Sequence, residues 1–84
     1  MITLLYFARL REALGIGREE LALPAGVDTL GALRAHLAQR GGAWAVEMAA
    51  ARNLRAAVNQ SVAAADAPVK DGDEVAFFPP VTGG

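Results

Sequence analysis

The chain has 84 residues, a length that leaves room for one small domain with a single core. Hydrophobic residues make up 54% of the sequence and cysteine is absent, so the core must close by packing without disulfides. Eight basic and nine acidic residues give a formal net charge of −1, which excludes the strongly basic surface typical of nucleic-acid-binding proteins.

The first segment, MITLLYFARL, is apolar but too short to span a bilayer, and it lacks the basic start of a signal peptide. We therefore expect a cytoplasmic protein.

Two neighbouring strands are predicted near the start of the chain. Residues 2–7 are β-forming, and residues 18–23 alternate around Leu21 and Leu23 until Pro24. Between them, LREALG predicts a single helical turn that ends at Gly15.

The main helix is predicted after residue 29. Asp28 or Thr29 can cap it, and Gly41-Gly42 can end it. Its apolar positions recur at helical spacing: Leu30, Leu33 and Leu37. His36, the only histidine, lies on this helix, and we interpret it as a surface or packing residue.

The second half predicts one shorter helix and three strands. GAWAVEMAAA favours the helix, and LRAAVNQ, a short segment at Val62 and DEVAFF favour the strands. Two strands, a crossing helix and further strands in so short a chain predict an α+β fold of the ubiquitin-like β-grasp type. We expect a mixed sheet of about five strands with one main helix on one face, and a single domain over residues 1–84.

The sequence offers few groups for catalysis. Without cysteine there is no thiol nucleophile, and no metal site is expected. Asp71, Asp73 and Glu74 lack the later ligands of a calcium loop, and we interpret residues 71–73 as a solvated turn. The Gly15-Ile16-Gly17 segment lacks the third glycine of a phosphate loop, and the glycosylation sequon at residues 59–61 is interpreted as a chance match.

The last ten residues, VAFFPPVTGG, are the most informative segment. Pro79 and Pro80 cannot donate ladder hydrogen bonds and favour an extended backbone, so they predict a projecting tail over residues 79–84. From Phe78 to Gly84 such a tail reaches up to about 20 Å, enough to enter a cleft in another protein. The reactive group would be the Gly84 carboxylate, which needs activation, most simply by adenylation, before sulfide could displace the nucleotide.

The first and last strands also predict a partner surface. Both are apolar at odd and at even positions, whereas one helix covers only one face of a sheet. The uncovered row would form a contiguous apolar patch typical of an interface. The alternative is that all these residues belong to the core, and the sequence leaves open which parity faces the helix.

Three segments carry a resemblance to a known family: YFARLRE at residues 6–12, AAVNQ at residues 56–60 and, most specifically, DGDEVAFFPPVTGG at residues 71–84. They resemble the small, sulfur-carrying subunit of molybdopterin synthase. The resemblance covers essentially the whole chain and is least distinct over residues 34–55.

The resemblance implies a β-grasp protein whose terminal Gly84 is adenylated by an E1-like, ATP-using enzyme and converted to a thiocarboxylate. The thiocarboxylate would donate sulfur to cyclic pyranopterin monophosphate, twice for each dithiolene of molybdopterin. The catalytic side chains would belong to a large subunit, with which the chain would form a heterotetramer, and no cofactor would be bound to this chain. The family's tail-threading positions correspond to Val81, Thr82 and Gly83. Its partner patch corresponds to Phe7, Val62, Phe78, Pro79 and Pro80.

Other functions remain open from the sequence. A sulfur carrier of another pathway, such as thiamine synthesis, would be expected to be shorter and to have a different run into the glycines. A ubiquitin-like modifier would join Gly84 to lysines of other proteins, with Lys70 as its only internal lysine for chain building. A non-covalent binding module would make no use of the tail.

Overall fold

A computed structural model of the protein describes residues 1–80, so residues 81–84 lie outside the described part of the chain. The elements follow the predicted order: β1 Ile2–Tyr6, α1 Ala8–Leu14, β2 Arg18–Leu21, α2 Leu30–Ala38, α3 Gly42–Glu47, β3 Arg55–Val58, β4 Ser61–Ala63 and β5 Glu74–Phe78. Within residues 1–80, no helix is both long and apolar enough to cross a membrane.

The five strands form one mixed sheet in the order β2-β1-β5-β3-β4. The central strands β1 and β5 run parallel, although they come from opposite ends of the chain, and all other neighbours are antiparallel. Parallel neighbours require a crossover connection, and here it includes α2, which packs on one face of the sheet. The predicted ubiquitin-like β-grasp fold is therefore confirmed.

The core lies between α2 and one face of the sheet, which we call the covered face. Alternate residues of the two central strands point into it, because successive side chains of a strand lie on opposite faces. Those residues are Ile2, Leu4 and Tyr6 from β1 and Val75 and Phe77 from β5. They pack against the three leucines at helical spacing, Leu30, Leu33 and Leu37, all of which are buried.

Helix α2 begins with a side-chain cap at Thr29, whose Oγ1 accepts a hydrogen bond from the Ala32 N–H at 3.2 Å. Of the two predicted caps, Thr29 is therefore the one used. The helix ends at Ala38, slightly before the predicted glycine stop. Gly41 and Gly42 have φ values of 78° and 54° and lie at the start of α3, which confirms the predicted shorter helix.

Helix α1 differs from its prediction. It is seven residues long and starts at Ala8, with only Phe7 between it and β1, so the interpretation of one turn within LREALG is wrong. The helix ends as predicted at Gly15, whose left-handed conformation (φ 80°) lets its N–H donate to the Arg11 carbonyl. The sequence does not reveal where this helix starts, because the apolar residues of the first segment are compatible both with a strand and with a helix that has one apolar face.

The β3 and β4 strands form a hairpin with a two-residue turn. Its residues, Asn59 and Gln60, both have positive φ values, 50° and 72°, as required by the turn type that matches the twist of paired strands. The glycosylation sequon seen in the sequence is thus the hairpin turn.

Candidate functional site

The second face of the sheet, which we call the open face, carries a shallow apolar groove. Phe7 is 48% exposed and Val62 is 67% exposed, while Ala57 is buried at the floor. The groove is lined by residues from β1, β3, β4, β5 and adjoining turns: Leu5, Phe7, Ala57, Gln60, Val62, Glu74, Ala76 and Phe78. Contiguous apolar surface of this kind is characteristic of a protein interface.

Strand register explains why these residues share one face. Ala76 of β5 lies between Leu5 of β1 and Ala57 of β3, and Ala57 in turn lies opposite Val62 of β4. Small side chains on the central strands make the floor, and larger ones form the walls. The alternative that all the apolar strand residues belong to the core is wrong, because Phe7 and Val62 are exposed.

The register also settles the parity at the end of β5. Phe77 is 1% exposed and lies in the core, whereas the next residue, Phe78, is half-buried and lines the groove. The structure therefore brings Phe7, Val62 and Phe78 together on the open face. Their role in binding a partner stays a prediction.

The open face leads directly into the tail. Strand β5 ends at Phe78, and Pro79 and Pro80 follow as half-buried residues. We call this point, Phe78 to Pro80, the tail exit. The remaining predicted site residues lie outside the described part of the chain: Val81, Thr82, Gly83 and Gly84. The projecting conformation of residues 79–84 accordingly stays a prediction.

The start of β5 is held by a buried carboxylate. Asp73 is only 5% exposed, so its interpretation as part of a solvated turn is wrong. One oxygen accepts from the Lys70 N–H at 2.9 Å, and the other from Asn59 Nδ2 at 3.0 Å and Lys70 Nζ at 3.1 Å. Asn59 also accepts from the Glu74 N–H at 3.0 Å, so the hairpin turn and β5 are locked together.

These hydrogen bonds favour the ionised form of the carboxyl group. The backbone N–H of Lys70, and then the Asn59 side chain, hold the pKa of Asp73 below its usual range. This role of Asp73 could not be predicted from the sequence, because the donor Asn59 lies in a hairpin turn 14 residues before it.

On the covered side, the end of β1 is held by a polar and aromatic cluster. Tyr6 Oη donates to Glu19 at 2.8 Å, and Glu19 receives two hydrogen bonds from Arg40, each of 2.8 Å. The Arg40 guanidinium lies 4.3 Å from the ring centroid of Trp44, whose ring meets Tyr6 edge-on at 5.3 Å. The cluster thus connects β1, β2, the end of α2 and α3.

The side chains of this cluster keep their protonation states at neutral pH. Hydrogen bonding from Arg40 lowers the pKa of Glu19, and burial, with the bond to Glu19, raises the pKa of Tyr6. Tyr6 therefore remains a neutral phenol that donates a hydrogen bond, and its role is to fix the strand that presents Phe7. Sequence reasoning missed Glu19 and Arg40, which are 21 residues apart.

A second set of contacts holds α3 and the segment after it. Arg34 on α2 donates to the Met48 carbonyl at 2.9 Å and the Arg52 carbonyl at 2.8 Å, and it also contacts the Ala49 carbonyl. Glu47, nearly buried, pairs with Arg9 at 3.2 Å. The Ala49 and Arg52 carbonyls also accept backbone hydrogen bonds, from the N–H groups of Arg52 and Leu54, so Arg34 adds a second donor to a segment that is already folded back on itself. We interpret these contacts as structural.

The residues singled out in the sequence for chemistry do not meet at the groove. Between residues 1 and 80, no group of three histidine, cysteine, aspartate or glutamate side chains is arranged to hold a metal ion. His36 lies half-buried on α2, on the covered side of the sheet and away from the groove. The open face presents an apolar surface, and β5, the strand at its centre, ends at the tail exit.

Comparison with known proteins identifies the family. A sequence model of the ThiS family matches residues 4–84. The molybdopterin synthase sulfur carrier subunit of Escherichia coli K12 is 49% identical over 84 residues, which cover 100% of both chains. The crystal structure of SAMP1, a small archaeal modifier protein from Haloferax volcanii, matches with a TM-score of 0.75 at 25% identity, over 99% of this chain and 98% of that one.

A third comparison concerns an assembled protein. In the complex of subunits 1 and 2 of the molybdopterin-converting factor from Helicobacter pylori 26695, the matching chain has a TM-score of 0.61 at 25% identity. The match covers 99% of this chain and 97% of that one. By sequence over its full length and by fold, the chain belongs to the ThiS family, among the molybdopterin synthase sulfur carrier subunits.

Proposed function

We propose that this chain is the sulfur carrier subunit of a molybdopterin synthase and that Gly84 bears the sulfur. The observation that carries the proposal is that β5, in a fold of this family, belongs both to the open face and to the segment that precedes the tail. The strand forms the centre of the open face and continues through Phe78 into the tail, so docking on that face directs the tail toward the partner.

The chemistry begins with an unreactive group. A terminal carboxylate, with an ordinary pKa of about 3.5, is ionised at neutral pH and is a poor electrophile. One carboxylate oxygen attacks the α-phosphorus of ATP, and pyrophosphate leaves. Sulfide then attacks the carbonyl carbon of the acyl-adenylate, displaces AMP and loses its proton to solvent, which leaves a thiocarboxylate on Gly84.

The thiocarboxylate is the sulfur donor to cyclic pyranopterin monophosphate, and two such donations complete one dithiolene. The side chains that bind the pterin and move protons belong to the large subunit. This chain contributes the reactive end, its reach and the surface that positions it. It binds no cofactor of its own, and ATP is used by the activating enzyme.

Two partners follow from this function. The complex of subunits 1 and 2 of the molybdopterin-converting factor from Helicobacter pylori supports a large subunit as the first partner. In the heterotetramer that we propose, the large subunit covers Phe7, Val62 and Phe78, and Pro79 and Pro80 lie at the entrance of its cleft. An E1-like adenylyltransferase is the second. Because activation consumes ATP, we place the protein in the cytoplasm.

Tail length provides the direct test of this mechanism. Adding one alanine after Gly84, or deleting Gly84, should abolish sulfur loading and transfer without changing the thermal midpoint. The reason is that reacting atoms must come within about 3–3.5 Å of each other, and one extended residue displaces the end by about 3.3–3.6 Å. The matched control adds one alanine before Met1, an exposed residue at the other end of β1 from Phe7, and should keep full activity.

The assay combines the purified chain, its activating enzyme, ATP, a sulfur source and the large subunit, with molybdopterin formation as the readout. An alanine-extended chain that supports molybdopterin formation, with an intact mass that shows no trimming, would contradict the proposed mechanism.

The likeness to SAMP1, a protein named as a modifier, favours one second candidate. As a modifier, this chain would join Gly84 to lysines of other proteins. Expression of an N-terminally tagged chain in cells with its activating enzyme separates the two functions. A ladder of larger conjugates that disappears on deletion of Gly84 would indicate a modifier, whereas a single free species that carries sulfur indicates a carrier.

A further inference from the structure

The groove on the open face has room for large side chains of another molecule. Its volume is about 350 Å³, at the lower end of the range found for pockets that bind small ligands. Its floor consists of two alanines, Ala57 on β3 and Ala76 on β5, which lie directly opposite each other in the sheet. Larger apolar side chains surround this floor: Leu5, Phe7, Val62 and Phe78.

This shape does not suit a second copy of the chain. Two identical concave surfaces placed face to face would meet at their walls and leave the two alanine floors apart, with a void between them. A void of this kind forfeits the packing contacts on which the core of an interface depends. The groove therefore fits a partner whose surface is convex and apolar at this point.

A charged side chain also lines the groove. Glu74 is half-buried at the start of β5, and it belongs to none of the ion pairs formed within residues 1–80. The preceding carboxylate, Asp73, differs in this respect, because it pairs with Lys70 at 3.1 Å. A surface that covers the groove removes water from Glu74, and a carboxylate that loses water without gaining a cation costs free energy. The covering surface is therefore expected to carry a basic group at this end of the groove.

We propose that the groove receives a bulky apolar side chain of the large subunit, for which Ala57 and Ala76 leave room, and that a basic group of the same subunit pairs with Glu74. The inference rests on the proposed function, which supplies the partner, and it adds the chemistry of the partner's surface. The two features lie side by side, because Ala76 follows Glu74 by two residues on the same face of β5, about 7 Å along the strand. Ala57 and Ala76 are thus specificity-determining residues.

The room above the floor is tested by titration calorimetry of the full chain with its large subunit. Ala76→Leu places a larger side chain in the groove and should weaken binding at least about tenfold, with Ala76→Val between it and wild type. Ala63→Leu is the matched control, because Ala63 is also a half-buried strand alanine beside a cavity, but on the covered side. It should leave the affinity nearly unchanged. Thermal unfolding shows that each variant is folded, and Ala76→Val serves in place of Ala76→Leu if the latter does not fold.

The charge is tested by Glu74→Gln, and the sign of its effect is decisive. Glutamine keeps the shape of glutamate without its charge, so loss of an ion pair should weaken binding by about fivefold at low salt and by less at high salt. If the partner left Glu74 unpaired, the same substitution would leave binding unchanged or strengthen it. Glu20→Gln is the control and should change the affinity little, because Glu20 lies on the same face but on the edge strand β2, outside the groove.

Three results would overturn the inference alone, provided that wild-type protein binds the large subunit. They are equal affinities of Ala76→Leu and Ala63→Leu, unchanged or tighter binding by Glu74→Gln, and a dimer of the chain alone that Ala76→Leu disrupts. The last, measured by sedimentation equilibrium, would assign the groove to a second copy. Absence of binding by wild-type protein would instead overturn the proposed function, and this inference with it.

Discussion

The two faces of the central strands use neighbouring residues for different purposes. On the covered face, Tyr6 and Phe77 are almost fully buried and their rings stack at a centroid distance of 6.4 Å. On the open face, Phe7 and Phe78, each one residue later, line a groove that has no cover within residues 1–80. Adjacent aromatic residues thus belong to the core at one position and to the groove at the next.

The difference predicts that adjacent substitutions will have separable effects. A change on the covered face should lower the free energy of unfolding, and a change on the open face should weaken binding of the large subunit. If the two faces were not distinct in this way, both substitutions would change both quantities.

The largest expected effect is that of Phe77→Ala. Removing a fully buried phenylalanine costs about 3–5 kcal/mol of stability, through lost transfer free energy and the cavity that remains. For a domain of this size that is a large part of the total, so we expect a strongly lowered urea midpoint or an unfolded chain. A loss of less than about 1 kcal/mol would show that Phe77 is not the core residue that its burial indicates.

Phe78→Ala should have the complementary effect. We expect it to weaken large-subunit binding by about 2 kcal/mol or more, as for a buried aromatic anchor at an interface, and to leave the thermal midpoint nearly unchanged. Calorimetric titration and thermal unfolding of the same preparation measure the two quantities. Unchanged affinity, or a midpoint that falls as far as that of Phe77→Ala, would mean that Phe78 has been assigned to the wrong face.

A smaller effect is expected at Asp73, which anchors β5 for both faces. Its pKa is lower in the folded chain than the unfolded value of about 3.9, so its ionised form stabilises the fold above that pH. The stabilisation is lost as the pH falls through the lower, folded-state pKa. Asp73→Asn lacks this titration.

We therefore expect wild-type protein to be more stable than Asp73→Asn at pH 7, and the difference to shrink below about pH 4. Urea midpoints of the two proteins between pH 3 and pH 7 measure it. A difference that stays constant across this range would show that the Asp73 carboxylate is not preferentially stabilised in its ionised form.

Much of the covered face follows from local sequence patterns. Leu30, Leu33 and Leu37 recur at helical spacing, and the β-forming runs at both ends of the chain predict the central strands. Strand parity does not follow from these patterns, because Leu4 and Leu5, or Phe77 and Phe78, are equally apolar. Only the position of α2 over the sheet decides which of each pair is buried.

The contacts that fix the site could not be predicted for a related reason. Asp73 is buried because the β3–β4 hairpin turn brings Asn59 beside it, and Glu19 meets Arg40 only after α2 has crossed the sheet. No periodicity in the sequence encodes such pairs. The projecting tail stays a prediction from its residues alone, because only Pro79 and Pro80 of residues 79–84 lie within the described part of the chain.

The most direct test of the account is the intact mass of the chain after purification from cells that contain its sulfur-transfer system. We predict a species in which sulfur replaces one oxygen, with fragment ions that place the sulfur on Gly84. A mass spectrum that shows the unmodified carboxylate and no sulfur-bearing species, although the activating enzyme and ATP are present, would contradict the claim that this chain carries sulfur.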